Sequence, residues 1–476
     1  MNIFQVIKEE TGDFLNKTAV VDGDDTFSYR QLIATVDAIA AALHEHGVRR
    51  FQRVCLLCDD NIDYITISLA ILSLSAVVVP VSSEHTQPEI DAVLGIISVD
   101  MVIFAKGLYN DDSAHILQSK NLYKNTYYYR IREITEKPCS EYYGMNPAFI
   151  RFSSGTTGAS KGIILSHEGI IDRTDAADKG MHITQDDTVL WVLSMSFHFV
   201  VSILLFLRRA ATIVLCRHRF PESFIAQLTK REGNLLYASP FHYKILASSE
   251  LLSQESLRHV RMAVSTSIKL SDAVADAFAS RFGFELAEAY GIIEVGLPFI
   301  NLSADRRKRG SVGRALPDYK VTILDKDTDG VGEICIQGKG MLEAYFFPWQ
   351  NQKSILKDGW FHTGDFGRID EDGFLTIAGR KKNVINFAGM KVFPDEVETV
   401  LNQYPLIEES VVYDAPHPIY GQLPVAKIVM KNGLKQALDV ENLRRFCYQR
   451  LAQYKVPKEF ICVDQIPKTA SGKIRR

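Results

Sequence analysis

Between Arg53 and Ala105 the chain alternates short apolar runs with helical patterns, and this alternation constrains the fold more than any other feature. "RVCLLCDD" (53–60) reads as an apolar strand. Asn61 to Leu74 carries Ile62, Ile65, Leu69 and Leu72 at helical spacing on one side. "AVVVPV" (76–81) is a second strand, Glu89 to Ile97 a second helix and "DMVIF" (100–104) a third strand. A βαβαβ pattern places strands in a parallel sheet with helices on its faces. The same alternation returns through "TIVLC" (212–216), "NLLYAS" (234–239) and "RMAVST" (261–266). At 476 residues the chain exceeds what one core supports, so at least two domains are expected.

The texture changes after about Arg306. "YKVTILD", "GEICIQG" and "FGRIDEDGFLTIAG" are strands joined by Asp-Gly turns, which predicts a small β subdomain or barrel over about 306–379. "RKKN" (380–383) is a polar break. Beyond it come a helix at Pro394 to Leu401, strands at "ESVVYD" and "VAKIVM", and a helix at Val440 to Leu451. Val440, Leu443, Phe446, Cys447 and Leu451 give the last helix one apolar face. The expectation is an α/β protein: a large N-terminal domain (1–380) of parallel-type α/β subdomains plus the β subdomain, then a small mobile α+β C-terminal domain (381–476), with a hinge near Lys382.

The net charge of −3 gives no general attraction to nucleic acid or anionic membrane. The N-terminal "MNIFQVIKEETGDF" has no apolar signal region. The apolar run Phe197 to Leu207 is too short to span a bilayer and reads as a buried helix. Seven scattered cysteines fit reduced thiols and a cytoplasmic location. Cys55 and Cys58 form one CxxC with no second pair, inside a strand pattern, so no zinc site is expected there.

"SSGTTGASKG" (153–162) concentrates three glycines, five hydroxyls and Lys161. Freed backbone amides, hydroxyls and a point charge suit a polyphosphate. It is not a Walker A loop, because Lys161 is followed by Gly162 rather than Ser or Thr. The flanks "AFIRF" and "GIILSH" read as strands, which makes the loop a turn between strands and not a linker.

This loop resembles the phosphate-binding signature of the adenylate-forming superfamily, which includes acyl- and aryl-CoA ligases. The similarity continues in family order through "FSYRQL" (27–32), "AVVVPV", "SFHF" (196–199), "AYGIIE" (289–294), "GWFHTGD" (359–365), "GRKKNVINFAGMKVFPDEVE" (379–398) and "PKTASGKIRR" (467–476). Ser75 stands where the second block usually has Gly. The resemblance implies two steps. A carboxylate attacks the α-phosphate of ATP to give an acyl-adenylate and pyrophosphate, and a thiol then displaces AMP.

It also implies roles. Ser153, Ser154, Gly155, Thr156, Thr157, Gly158 and Lys161 would hold the phosphates, with Tyr290 and Gly291 beside the adenine. Asp365 would accept the ribose hydroxyls, and Arg380 would reach ribose or phosphate. Glu294, with Thr157, would hold Mg²⁺. Lys473 would bridge carboxylate and α-phosphate, and His198 would sit beside the substrate carboxylate. Lys382 stands at the family's hinge. Gly389, Met390 and Lys391 would line the pantetheine tunnel.

Three positions depart from the pattern. Ile293 replaces a Thr whose hydroxyl helps hold the α-phosphate; one such bond to a charged group is worth about 1.5–3 kcal/mol. Asn383 replaces the hinge Asp, and Ser160 stands where Pro is frequent. Amino-acid-activating relatives carry an Asp where this chain has His198, so an acid lacking an α-amino group is expected. The segments Phe197–Ser202, Val264–Ile268 and Tyr290–Gly296 would line an apolar pocket, with Ile292 and Ile293 favouring a short or medium aliphatic or aryl acid. The sequence ends just past Lys473, so the thiol would come from a separate molecule. Coenzyme A is the first choice, with the phosphopantetheine of an acyl carrier protein as the alternative; Lys381, Lys382, Arg444 and Arg445 would suit either. A second alternative is a non-catalytic nucleotide-binding relative.

Overall fold

The computed structural model describes residues 1–109, 137–152, 161–216, 220–388, 390–431, 438–468 and 474, with the backbone of 116–123 and 127–132. The βαβαβ reading holds. Strand Arg53–Leu57 pairs in parallel with Val77–Val81 on one side and Met101–Ala105 on the other. These strands, with Pro147–Phe152, form the parallel centre of a nine-stranded sheet whose remaining pairings are antiparallel. A second nine-stranded sheet has a parallel centre running from Thr18–Asp22 through Thr212–Leu215, Thr188–Trp191, Leu235–Ala238 and Met262–Ser265 to Ala287–Ile292.

The main core lies between these sheets. Val54, Val78 and Phe149 of one sheet and Val189, Trp191 and Val264 of the other belong to one buried cluster. Helix Ile62–Ser73 contacts strands of both sheets and is buried at Ile62 and at every residue from Tyr64 to Leu72. The sequence predicted one apolar side. The sandwich between two sheets explains why "IDYITISLAILS" is apolar nearly all round.

The run after Ser194 is a buried helix with an irregularity. Met195–His198 and Leu204–Arg208 are α-helical, and Phe199–Ile203 between them is a π-helical turn. Such turns change the direction of side chains within a helix and often mark functional sites.

The predicted hairpins after Arg306 are present, but they do not close a barrel. Tyr319–Leu324, Gly332–Gly338, Phe361–Ile369 and Leu375–Arg380 make an open four-stranded antiparallel sheet. The chain between its second and third strands returns to the first domain core, where Ala344–Tyr345 pairs with Gly162–Ser166. Arg314–Ala315 likewise pairs with Gly296–Asn301 of the second large sheet. Strands lent to neighbouring sheets leave too few to close a barrel.

The C-terminal domain is a five-stranded mixed sheet carrying helices Pro394–Leu401 and Val440–Tyr448. Its own core contains Val397, Leu401, Val412, Ile428, Leu443 and Cys447. Leu443, Cys447 and Leu451 of the predicted apolar face are buried. Among the described residues, no helix is long and apolar enough to cross a membrane.

One buried ion pair fixes the edge of the parallel centre. Arg53 Nε lies 2.9 Å from Asp100 Oδ2, with both side chains almost fully buried. Asp100 also accepts from the Arg53 main-chain N–H, and Arg53 Nη1 donates to the Ile97 carbonyl. Asp100→Ala leaves the guanidinium buried without its counter-charge. We expect it to cost about 3–5 kcal/mol, read as a lowered urea midpoint for the N-terminal domain; an unchanged midpoint refutes the assignment.

Candidate active site

The site assembles where the two large sheets, the four-stranded sheet and the start of the C-terminal domain meet. Strand Pro147–Phe152 leads into the phosphate loop, and Gly162–Ser166 leads out of it as its antiparallel partner. The loop is therefore a connection between paired strands, as its flanks predicted. Ser153, Ser154, Gly155, Thr156, Thr157 and Gly158 lie outside the described residues, as do Gly389 and Lys473. Lys161 is described, and its ammonium sits 4.2 Å from the centre of the Tyr345 ring, a cation–π distance.

"AYGIIE" forms a tight hairpin. Ala287–Ile292 pairs back onto Gly296–Asn301, with Ile292 opposite Gly296. Gly291 is required by the close approach of the strands: a Cβ there would lie 2.4 Å from the Gly296 carbonyl oxygen. The turn presents Glu294, whose main-chain carbonyl accepts from Leu342 N–H at 2.7 Å. The Tyr345 hydroxyl lies 3.4 Å from its Oε1. Burial raises the Glu294 carboxyl above its ordinary value, against the lowering effects of a backbone hydrogen bond, of Arg380 and of the Tyr345 hydroxyl.

Asp365, Arg380 and Tyr290 come together as one unit. Asp365 and Arg380 are directly opposed across the hairpin of the four-stranded sheet. Arg380 Nε lies 2.9 Å from Asp365 Oδ1, and the Tyr290 hydroxyl donates to Oδ2 at 2.6 Å. Asp365 is only 3% exposed. Its neighbour Gly364 has φ +69°, a left-handed conformation that bends the strand here. Burial, followed by the Asp365 charge, pushes the Tyr290 hydroxyl well above the usual phenol range. Lys382, in the polar break, is lowered by burial and then by Arg380.

His198 stands at the end of a short helix, with Nε2 3.2 Å from Ser267 Oγ. Ser267 holds φ +78°, a left-handed backbone conformation uncommon for serine. The His198 ring packs edge-on to Trp191 at 6.4 Å, and Trp191 stacks on Tyr237 at 5.6 Å. The contact between His198 and Ser267 brings two of the expected pocket segments, Phe197–Ser202 and Val264–Ile268, together. Ile268, Ile292 and Ile293 are partly open, whereas Val264 and Val295 are fully buried in the core.

Two arginines were missed in the sequence. Arg151, at the end of the strand entering the phosphate loop, donates to the Phe197 carbonyl at 2.6 Å. It thereby joins that strand to the turn bearing His198. Arg173, in helix His167–Met181, donates to the carbonyls of Gly340 and Ile293. Burial lowers both guanidiniums to about 10. A charge inside an apolar stretch such as "AFIRF" was the available signal for Arg151; helix 167–181 is polar enough to hide Arg173. Tyr345 was also missed, because its partner Glu294 is 51 residues away.

A model of the AMP-binding enzyme family matches residues 7–346, and one of the AMP-binding enzyme C-terminal domain matches residues 396–473. The chain belongs to the AMP-binding enzyme family. It is an AMP-forming acid–thiol ligase by class. The 4-coumarate–CoA ligase 5 of Oryza sativa subsp. japonica is 28% identical over 508 residues, covering 98% of this chain and 92% of that protein. The long-chain-fatty-acid–CoA ligase of Bacillus subtilis is 31% identical over 341 residues, covering 69% and 60%. ATP-bound MatB from Rhodopseudomonas palustris superimposes with a TM-score of 0.85 at 22% identity, covering 100% of this chain and 97% of that one. The o-succinylbenzoate CoA synthetase MenE from Bacillus subtilis, in complex with its acyl-adenylate, gives 0.85 at 20% with the same coverage. The fold of adenylate-forming enzymes follows from these likenesses.

Two residues before Tyr290, Glu288 is buried, and its Oε1 accepts from Gly310 N–H at 3.0 Å. Burial pushes its carboxyl up from 4.5 to about 7. Between these values the folded chain keeps a proton that the unfolded chain has released. Its contribution is therefore most favourable at low pH and is lost as pH rises through about 7. Glu288→Gln should gain stability relative to the unmodified protein as pH rises from about 5 to 8, by up to about 3 kcal/mol. Urea titrations at the two pH values measure this; parallel profiles contradict it.

Proposed function

We propose that this ligase activates a short or medium aliphatic or aryl acid lacking an α-amino group and transfers the acyl group to coenzyme A. The observation that carries the reading is the convergence of Tyr290, Asp365, Arg380 and Glu294 beside the hairpin and hinge. Asp365, held by Arg380 and Tyr290, has the two acceptor oxygens that a pair of ribose hydroxyls requires. The phosphate loop and Lys161 then meet the β- and γ-phosphates.

Glu294 fits a hard cation: a carboxyl whose charge is disfavoured by desolvation gains most when a cation binds it. Mg²⁺ there, with Thr157, would neutralise phosphate charge while an anion approaches an anion. His198, set by Ser267, lies where the acid's carboxylate enters and offers no counter-charge for an ammonium. Lys473 contacts the carboxylate and α-phosphate during adenylation. The acid's oxygen forms the bond to the α-phosphorus as pyrophosphate leaves. The C-terminal domain then turns about Lys382, bringing Met390 and Lys391 toward the thiol. The sulfur forms its bond to the acyl carbon as AMP leaves.

Carboxylate-dependent ATP–pyrophosphate exchange across fatty, aryl and amino acids tests the reading. Exchange is expected with a non-amino acid, and coenzyme A should then serve as acceptor in preference to an acyl carrier protein. No exchange with any acid, in protein that binds ATP, favours the non-catalytic alternative. Lys473→Ala should reduce exchange to background with the fold intact; exchange at the unmodified rate removes its role. Asp365→Ala should raise the apparent KM for ATP by at least tenfold, because a charge-assisted hydrogen bond is worth about 1.5–3 kcal/mol. An unchanged KM counts against the ribose contact.

A further inference from the structure

We infer that Arg173 is a positioning residue that fixes the Glu294 turn for cation binding, an inference that rests on the metal role proposed for Glu294. Its side chain is 1% exposed, yet its fork is directed at main-chain carbonyls. Nε and Nη2 both donate to the Gly340 oxygen, and Nη1 donates to the Ile293 oxygen at 3.1 Å. Ile293 immediately precedes Glu294. Two residues after Gly340, Leu342 N–H donates to the Glu294 carbonyl at 2.7 Å. Guanidinium, Gly340 to Leu342, Glu294 and Ile293 therefore close a ring.

The ring holds the Glu294 main chain on both sides of its Cα. Three residues beyond Leu342, the Tyr345 hydroxyl faces the Glu294 carboxylate itself. The same segment thus fixes backbone and side chain together, and Arg173 anchors that segment to helix His167–Met181.

Gly340 is the complementary requirement. It has φ +66°, and a Cβ there would lie 2.6 Å from Arg173 N and 2.6 Å from the Gly169 carbonyl oxygen. Only glycine lets the segment approach the helix closely enough for its carbonyl to receive two N–H donors. A lysine at 173 would keep the charge but lack the planar fork that bridges two carbonyls.

The test measures Mg²⁺-dependent ATP binding, independently of turnover. Calorimetric titration with ATP over a range of Mg²⁺ concentrations gives the Mg²⁺ midpoint, and titration with EDTA gives metal-free affinity. Arg173→Lys should raise the midpoint by about tenfold, the range seen when groups that orient a metal ligand are removed. Metal-free affinity should stay within about twofold. A purely structural role lowers the melting temperature and leaves the Mg²⁺ midpoint where it was. Gly340→Ala opens the ring with the guanidinium intact and decides the question if Arg173→Lys does not fold. Glu294→Gln separates the two claims. If it shifts the midpoint and the ring variants do not, the inference about Arg173 falls alone. If Glu294→Gln leaves the midpoint unchanged, the metal reading falls and takes the inference with it.

Discussion

The buried carboxylate of Asp365 is the point on which the site depends. Arg380 comes from the strand that ends at the polar break, Tyr290 from the second large sheet, and Asp365 from the four-stranded sheet. One hairpin of the four-stranded sheet and one strand of the second large sheet therefore share one anion. A carboxylate that is 3% exposed is costly to hold unless it is paired and hydrogen-bonded, and both conditions are met. In the sequence Arg380 directly precedes Lys381 and Lys382. Any turning of the C-terminal domain about this break begins beside a fixed charge.

Much of this was legible in the sequence because it is local. Strand alternation in 53–105, the paired flanks of the phosphate loop and the Asp-Gly hairpins are set by periodicity and turn chemistry within a few residues. Asp365 and Arg380 were legible as motif members, and their direct opposition follows from the hairpin that joins them. The barrel was misread because strand pattern does not reveal which sheet a strand joins. Ala344–Tyr345 looks like its neighbours in the sequence, yet it pairs with Gly162–Ser166, some 180 residues earlier in the chain.

What escaped the sequence is long-range and polar. Arg151 and Arg173 are ordinary cations in a list of residues. Their meaning comes from the carbonyls they meet, Phe197 in one case and Gly340 with Ile293 in the other. Each pins one motif to another: the strand entering the phosphate loop to the His198 turn, and helix 167–181 to the Glu294 turn. Buried guanidiniums that donate to main chain cost desolvation but fix geometry, because the fork is planar and rigid.

This bears on the one departure with chemical weight. Ile293 removes a side-chain hydroxyl from the turn, but its carbonyl is the oxygen that Arg173 holds. A hydroxyl donating to phosphate acts on the ligand directly; a clamped carbonyl acts by holding the next residue, Glu294, in one place. Preorganisation of that kind stabilises developing charge without reorganisation at the moment of reaction. Through that carbonyl, whatever the side chain at 293, the Glu294 turn is tied to helix His167–Met181.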